Sequence, residues 1–382
     1  MTGRLRWITV LGSALVVLSL IVVGLDAGRP TVRSSAIIPA DPLASPATRS
    51  ELGWLAHLPD REGKQGHIAS GYFAGYSESV AAGGDANGFS YNSEEELNRQ
   101  ASGSVPAATG EFPAIVACDY GDVDADFSID TSCNRYLIHW AAAGGLASVS
   151  VHFPDPAVGI STSCDPNPTA VPMPLPCFNE LTDANTAVGR SWHRYLREVA
   201  VGLRQLQRAG IPVLFRPLLE MNGNWSWFDQ TPAEFVAVWR DMFSYISLEL
   251  GVTEHNLLWV YAPGCSSGTS TRPPAADYPG RSYTDIVGLD CYVTDPLAIS
   301  DYKAMLNLGQ PFAFAEIGAN PCEPRAFNFN LWLRAFKTRF QKTSYFLAWN
   351  STCGITAAAP DPSDHDANSF TELLKSTQII NR

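Results

Sequence analysis

Two glutamates stand at matching places in this sequence, where they could carry out acid–base chemistry together. Glu220 follows the apolar start of Arg216–Trp227 (RPLLEMNGNWSW), and Glu316 follows that of Phe312–Gly318 (FAFAEIG). A carboxylate at the end of a buried strand is costly unless chemistry uses it. Two of them on separate strands suit glycosidic bond cleavage, in which one attacks and the other donates a proton.

Other polar and aromatic residues lie near predicted strand ends and are candidate substrate-binding residues. Arg216 could keep a carboxylate ionised, and the Tyr292 hydroxyl could bind the nucleophile. Aromatic rings in this position can bind the flat faces of sugars. Each residue could instead be a core or ion-pair residue, and a salt-bridged strand-end carboxylate is the alternative for either glutamate alone. The candidates are His152, Arg216, Asn222, Trp225, Asp290, Tyr292 and Trp349.

The elements that must position these residues alternate between apolar strands and amphipathic helices. Helices are predicted after the capping sequences Ser93–Glu96 and Thr231–Glu234, and over Ser191–Ala209. This alternation favours a single α/β domain, a (β/α)8 TIM barrel with disulfide-stapled loops, over a doubly wound sheet, since no GxGxxG follows the first strand. The predicted strands are Gly71–Gly75, Pro113–Cys118, Leu146–Phe153, Pro212–Leu219, Leu257–Tyr261, Asp285–Tyr292, Pro311–Ile317 and Tyr345–Trp349.

In such a barrel Glu220 would close the fourth strand and Glu316 the seventh, on opposite sides of the mouth. A separation of about 5–5.5 Å between their carboxyl groups would suit double displacement with retention of configuration. Two like charges that close would also force their pKa values apart, so that one glutamate could remain a proton donor.

Composition and charge narrow the classes of partner. The chain has 382 residues, 46 % of them hydrophobic, and a net charge of −12. The hydrophobic content supports a sizeable core, and the acidic balance argues against nucleic acid or an anionic lipid surface as partner. No GxSxG nucleophile elbow and no Cys/His metal spacing occurs, so neither an esterase nor a metal site is predicted. No signal for oligomerisation is present, and a monomer is expected.

The eight cysteines form an even set, which fits an oxidising compartment. Cys164 and Cys177 bracket a proline-rich loop and are predicted to pair. If neighbouring strand ends are stapled, the remaining pairs are Cys118–Cys133, Cys265–Cys291 and Cys322–Cys353. Eight cysteines allow 105 pairings, so the sequence does not determine this connectivity.

The amino-terminal segment predicts export. Basic Met1–Arg6 and apolar Trp7–Leu25 predict a signal peptide or a membrane anchor over residues 1–27. A Pro/Ser/Ala-rich linker is predicted over residues 28–50, and a catalytic domain over 51–382. The expected location is extracellular, either secreted or tethered to the outer face of the cytoplasmic membrane.

Several of these segments together resemble glycoside hydrolase family 26, which includes β-mannanases with a retaining clan A type barrel. The resemblance runs from about Gly71 to Asn350 and rests on FRPLLEMNGNW, GGLASVSVHFPDP, YPGRSYTDIVGLDCY, FAFAEIG and YFLAWN. It implies that Glu220 is the acid/base and Glu316 the nucleophile. It further implies that Tyr292 and Arg216 orient the nucleophile and that no cofactor is needed. The residues expected to line the reacting-sugar subsite are His152, Trp225 and Trp349.

One position departs from the family pattern, because Leu219 stands where the family has a histidine before the acid/base. The expected function is a retaining endo-β-glycosidase that acts on a polysaccharide, with β-1,4-mannan as the first candidate. Leu219 leaves open β-glucan, β-xylan or a cell-envelope glycan as substrate, and also a non-catalytic or weakly active carbohydrate-binding barrel. The long loop Asp155–Asn179 is expected to form a wall of the cleft.

Overall fold

Eight parallel strands form a closed barrel in the computed structural model of this protein, which confirms the predicted TIM barrel. The structure describes residues 37–60, 66–74, 94–120, 129–160, 164, 172–249, 255–266, 270–320, 327–349 and 365–382. Each strand pairs with the next, and the eighth also pairs with the first, which closes the sheet. The strands are β1 Gly71–Phe73, β2 Ile115–Asp119, β3 Leu146–Val151, β4 Val213–Pro217, β5 Leu257–Tyr261, β6 Ile286–Tyr292, β7 Phe312–Gly318 and β8 Thr343–Trp349.

Helices connect the strands in the part of the chain that the structure describes. The α-helices are α1 Pro46–His57, α2 Glu94–Leu97, α3 Val105–Thr109, α4 Asn134–Ala142, α5 Leu175–Phe178, α6 Ala187–Arg208, α7 Pro232–Ser244, α8 Tyr302–Leu306, α9 Asn330–Thr338 and α10 His365–Leu374. Asn98–Ser104 and Tyr245–Glu249 are π-helical, and Leu58–Asp60, Arg281–Tyr283 and Pro296–Ala298 are 3₁₀-helical. Two short strands, Ile68–Ala69 and Ile379–Ile380, pair beside β8.

Two of the predicted helix starts can be compared with the structure. Thr231 precedes α7 and Pro232 occupies the first turn, as predicted, but the Thr231 side chain makes no capping hydrogen bond. That part of the predicted capping box is therefore wrong. The α6 helix begins four residues earlier than predicted, because the hydroxyl of Thr186 accepts the N–H of Gly189 and caps the helix there. Ser93 lies outside the described residues.

Alternate residues of the strands divide the hydrophobic core into two clusters. On β4, Val213 and Phe215 belong to the cluster between the sheet and the helices, whereas Leu214 belongs to the cluster inside the barrel. Successive side chains of a strand point to opposite faces. Arg216 follows Leu214 in the inward phase and is fully buried. The strand period therefore places a guanidinium inside the barrel.

The helix α1 packs on the barrel, and it begins inside the range predicted as a linker. Leu52, Leu55 and Leu58 are fully buried and join the interior cluster. The Thr48 hydroxyl donates to the carbonyl of His255, just before β5. Residues 46–50 are therefore helical, because Ser45 caps a segment whose leucines have an apolar barrel end to fill. Residues 37–382 form one compact unit.

Three of the four predicted disulfides are present: Cys118–Cys133, Cys164–Cys177 and Cys265–Cys291. The fourth predicted pair, Cys322–Cys353, lies outside the described residues, as does the apolar segment Trp7–Leu25. Within the described ranges, the structure contains no helix that is long and apolar enough to span a membrane.

Candidate active site

The two candidate glutamates meet at the carboxyl end of the barrel. One carboxylate oxygen each of Glu220, Asp290 and Glu316 lies within 4.8 Å of the others. Glu316 lies on β7 and is 2 % exposed, whereas Glu220 is only half-buried and faces the mouth. In glycoside hydrolases, a separation of about 5–5.5 Å accompanies retention, and about 6.5–9.5 Å accompanies inversion. The glutamates therefore have the short spacing of the retaining geometry.

Glu220 reaches this position from a turn and not from a strand. The predicted strand continued to Leu219, but β4 ends at Pro217, so Glu220 lies three residues beyond it. Leu218 and Glu220 have φ angles of 47° and 52°, in the left-handed region that residues other than glycine rarely adopt. The Glu220 N–H donates to the carbonyl of Ala262, at 2.8 Å. Strained backbone of this kind is typical of functional sites held in place by their surroundings.

Glu316 accepts hydrogen bonds at both carboxylate oxygens. Nη2 of Arg216 donates to Oε1 at 2.8 Å, and the Tyr292 hydroxyl donates to Oε2 at 2.6 Å. Burial and the negative charge of Glu316 raise the pKa of Tyr292 well above its ordinary value, so this hydroxyl stays a donor. A guanidinium and a phenol that donate to the two oxygens of a carboxylate fix its orientation.

Asp290 is the second partner of Arg216. Nη2 of Arg216 donates to its Oδ2 at 2.8 Å, and both side chains are fully buried. Asp290 and Glu316 are register partners on β6 and β7, directly after a shift in the register at Leu289/Asp290. Such irregularities re-aim side chains beside active sites. The guanidinium therefore links strands β4, β6 and β7 beneath Glu220.

Glu220 has the electrostatics of a proton donor at neutral pH. Burial and the charge of Glu316 raise the pKa of Glu220 to about 7. A hydrogen bond from the indole of Trp225 to Oε2, at 2.9 Å, and the charges of Arg216 and His152 oppose that rise. The two glutamates thus occupy different environments, as a nucleophile and an acid/base require.

Aromatic rings line the mouth around the glutamates. Trp225 is 39 % exposed, and its ring centroid lies 5.8 Å from that of His152, which follows β3 directly. Trp349 ends β8, with its ring 4.5 Å from that of Phe73 and 6.4 Å from that of Tyr292. The structure therefore brings the three predicted sugar-lining residues, His152, Trp225 and Trp349, to the same mouth.

Asn222 differs from the other candidates because its side chain is buried in the scaffold. Its amide nitrogen donates to the carbonyls of Gly264 and Arg272, and its carbonyl oxygen accepts the Gly264 N–H at 2.8 Å. The side chain is fully buried. These contacts show that Asn222 fixes the turn after Glu220, and its predicted contact with substrate stays a prediction.

Leu219 and the loop after β3 also lie beside the site. Leu219 is 3 % exposed. Because its side chain is apolar, it offers no hydrogen bond at the position before Glu220. In the loop, the Met173 N–H donates to the carbonyl of Trp227, and the Gln230 side chain donates to the carbonyl of Met173. The described part of the predicted cleft wall is thereby joined to the loop that carries Trp225.

Sequence reasoning missed one buried acid at the site, Asp119 at the end of β2. Its Oδ2 lies 2.8 Å from Nδ1 of His152. Asp119 directly follows the apolar run Ile115–Cys118. An apolar run followed by a carboxylate is the same signal that identified Glu220 and Glu316. Ending the predicted strand at Cys118 left Asp119 out.

The three carboxylates at the mouth are close enough to one another to bind a cation together. One oxygen each of Glu220, Asp290 and Glu316 could contribute, and carboxylate oxygens suit hard divalent ions. Arg216 already bonds two of these residues, and Tyr292 bonds the second oxygen of Glu316. The guanidinium thus already supplies positive charge to two of these carboxylates.

Comparisons with known proteins agree with this arrangement. The sequence pattern described as glycosyl hydrolase family 26 matches residues 40–358. A mannan endo-1,4-β-mannosidase of Bacillus subtilis is 35 % identical over 347 residues, which cover 88 % of each chain. The mannan endo-1,4-β-mannosidase A and B of Caldalkalibacillus mannanilyticus is 35 % identical over 90 % of this chain, which spans 62 % of that relative. The structure of Bacillus subtilis mannanase BCman has a TM-score of 0.75 and 31 % identity, and the match covers 91 % of this chain and 96 % of that one.

Proposed function

The chain belongs to glycosyl hydrolase family 26, and on that premise we propose that it is a retaining endo-β-mannanase that cleaves β-1,4-mannan. The observation that carries the proposal is the pair of glutamates in unlike environments. Glu316 accepts bonds from Arg216 and Tyr292, while Glu220 lies across from it with its pKa raised to about 7. A nucleophile needs an oriented carboxylate, and a general acid needs a raised pKa at neutral pH.

In the first step, Glu316 attacks the anomeric carbon while Glu220 protonates the departing glycosidic oxygen. The carbon–oxygen bond to the leaving sugar breaks, and a glycosyl ester forms on Glu316. Glu220 is then a carboxylate, and the Trp225 indole at 2.9 Å stabilises that charge.

In the second step, Glu220 removes a proton from water as the water attacks the same carbon. The ester to Glu316 breaks, the sugar leaves with retained configuration, and both glutamates regain their starting protonation. Arg216 and Tyr292 stabilise the released carboxylate of Glu316 by the bonds already described.

The aromatic residues are proposed to bind the sugar at the cleavage point. Trp349 forms one surface with Phe73 behind it, and Trp225 forms another beside His152. Apolar faces of a pyranose pack against such rings. Leu219 contributes no polar contact here, so the proposed reaction depends on the glutamates and their bonded partners.

A non-catalytic binding barrel is not favoured. Both glutamates are present, and Glu316 has both of its hydrogen-bond partners. A binding module would gain nothing from two carboxylates held this close, because their repulsion is costly.

Export is part of the proposal. Three disulfides in the described residues fit an oxidising compartment, which agrees with an extracellular enzyme. A signal peptide or membrane anchor at residues 1–27, and a monomeric state, remain proposals that rest on the sequence alone.

The test is release of reducing sugar by the full chain from galactomannan, glucomannan, mixed-linkage glucan and xylan. We expect release from the mannans, and loss of at least about 10³-fold in Glu316→Ala. The matched control is Glu198→Ala, which removes a surface glutamate paired with Arg194 and should keep full activity. Release only from glucan or xylan would contradict the substrate, and an active Glu316→Ala would contradict the mechanism.

A further inference from the structure

Asp119 is a buried carboxylate whose surroundings hold it rigidly. It is fully buried at the end of β2. Both of its chain neighbours are tied to the start of α4: Cys118 by the disulfide to Cys133, and Tyr120 by a hydrogen bond from its hydroxyl to Asn134. A group supported on both sides in this way has little freedom to move.

Both oxygens of Asp119 bind residues of the next strand and its end. Oδ1 accepts the backbone N–H of His152 at 2.9 Å, and Oδ2 lies 2.8 Å from Nδ1 of the same residue. The hydroxyl of Ser150, the register partner of Asp119, also donates to Oδ2. Because an ionised carboxylate only accepts, Nδ1 of His152 carries a proton in this arrangement.

The rest of the His152 ring lies at the sugar-binding mouth. Its neighbours there are Trp225, with ring centroids 5.8 Å apart, and the carboxylates of Glu220 and Glu316, which act on its charge. The groups that face His152 therefore come from β2, from the turn after β4 and from β7.

We propose that Asp119 is a positioning residue of this active site, which fixes the orientation and the tautomer of the His152 ring beside the reacting sugar. The place of the sugar rests on the proposed function, whereas the coupling of Asp119 to His152 does not. Asp119 acts through His152 and touches neither substrate nor reacting atoms.

The coupling has an electrostatic consequence that can be measured. Burial alone would lower the pKa of His152, but the charge and hydrogen bond of Asp119 outweigh it, and Glu316 and Glu220 add to the rise. Burial would likewise raise the pKa of Asp119, yet its contacts with His152 and Ser150 lower it overall. Replacing Asp119 by the isosteric asparagine removes the charge and keeps the shape.

The test is an NMR titration of the His152 ring nitrogens in the full chain and in Asp119→Asn, with the resonances assigned by comparison with His152→Gln. In the wild type we expect a pKa above the ordinary value of about 6.5, with Nδ1 protonated in the neutral ring. In Asp119→Asn the pKa should fall, and the neutral ring should no longer favour the proton on Nδ1.

The same variant should lose about 10- to 100-fold in kcat/KM on mannan, as expected for a misplaced binding group. Asp241→Asn is the matched control, because it removes the same charge from another carboxylate–histidine pair, with His193 at 3.4 Å, outside the site. It should change neither the His152 titration nor kcat/KM.

Two outcomes would overturn the proposal: an unchanged His152 titration in Asp119→Asn, or a wild-type pKa of His152 below the ordinary value. The second is decisive even if Asp119→Asn does not fold. Failure of the proposed function would appear differently, as a wild type without mannanase activity whose His152 still responds to Asp119.

Discussion

At the scale of single residues, the features that suit Glu220 to proton transfer also lower the stability of the folded protein. It combines a left-handed backbone with a carboxyl group whose burial, together with the charge of Glu316, raises its pKa to about 7. Both features cost free energy in the folded state. Enzymes commonly accept such a cost where activity requires it.

Removing that carboxyl should stabilise the fold in a pH-dependent way. The pKa of Glu220 lies near 7 in the folded state and near 4.3 when unfolded, so the unfolded state loses its proton first as the pH rises. The stability of the wild type should therefore fall between about pH 4 and 7. Glu220→Gln escapes this loss, so its Tm should exceed that of the wild type by about 2–4 °C at pH 8 and by less at pH 5.

Differential scanning calorimetry at the two pH values measures this difference. Glu198→Gln, a surface substitution next to Arg194, is the control and should show no pH-dependent gain. A gain for Glu220→Gln that is larger at pH 5 would show that the pKa of Glu220 is not raised in the folded protein.

At the scale of elements, the strand ends converge on one buried cation. Arg216 on β4 bonds Asp290 on β6 and Glu316 on β7, each at 2.8 Å, and all three side chains are nearly or wholly inaccessible. Removal of one partner from such a network leaves buried charge uncompensated. The strands that carry the site are thus held in register by the same group that orients the nucleophile.

Arg216→Met should therefore destabilise the protein by about 3–5 kcal/mol, measured by chemical denaturation at pH 7. The matched control is Arg194→Met, which breaks an exposed pair with Glu198 and should cost no more than about 1 kcal/mol. Equal losses in the two variants would mean that the buried network contributes no more than a surface pair does.

The same scale shows what the sequence could predict. The apolar runs identified all eight strands, and runs that end in an acid located Glu316 and the neighbourhood of Glu220. The turn that carries Glu220 was not predictable, because positive φ at Leu218 is imposed by tertiary contacts and contradicts local preference. The role of Asn222 in fixing that turn was not predictable for a similar reason: its hydrogen bonds join segments far apart in the sequence.

At the scale of the whole molecule, the amino-terminal helix completes the barrel. Leu52, Leu55 and Leu58 belong to the cluster inside the barrel. In the same segment, Ala40 and Thr48 hydrogen-bond to residues that precede β6 and β5, at the end opposite the site. The sequence did not predict that this helix packs into the barrel, because residues 28–50 have the composition of a linker. The contacts in the structure show where the helix begins.

Leu55→Ala should consequently cost about 2–5 kcal/mol of unfolding free energy, as for a core leucine. Leu43→Ala is the control, because Leu43 is 64 % exposed in the same segment, and it should change stability by no more than about 0.5 kcal/mol. Urea denaturation of both variants decides the point. A Leu55→Ala variant as stable as Leu43→Ala would mean that α1 does not pack into the barrel.

The central claim is double displacement by Glu316 and Glu220, and stereochemistry tests it most directly. Proton NMR of a β-1,4-mannan oligosaccharide during the first minutes of cleavage shows the anomer released before mutarotation. The oxygens within 4.8 Å of each other predict that the new reducing ends are β at first, and that Glu316→Ala releases none. New reducing ends that are α at first would contradict the account.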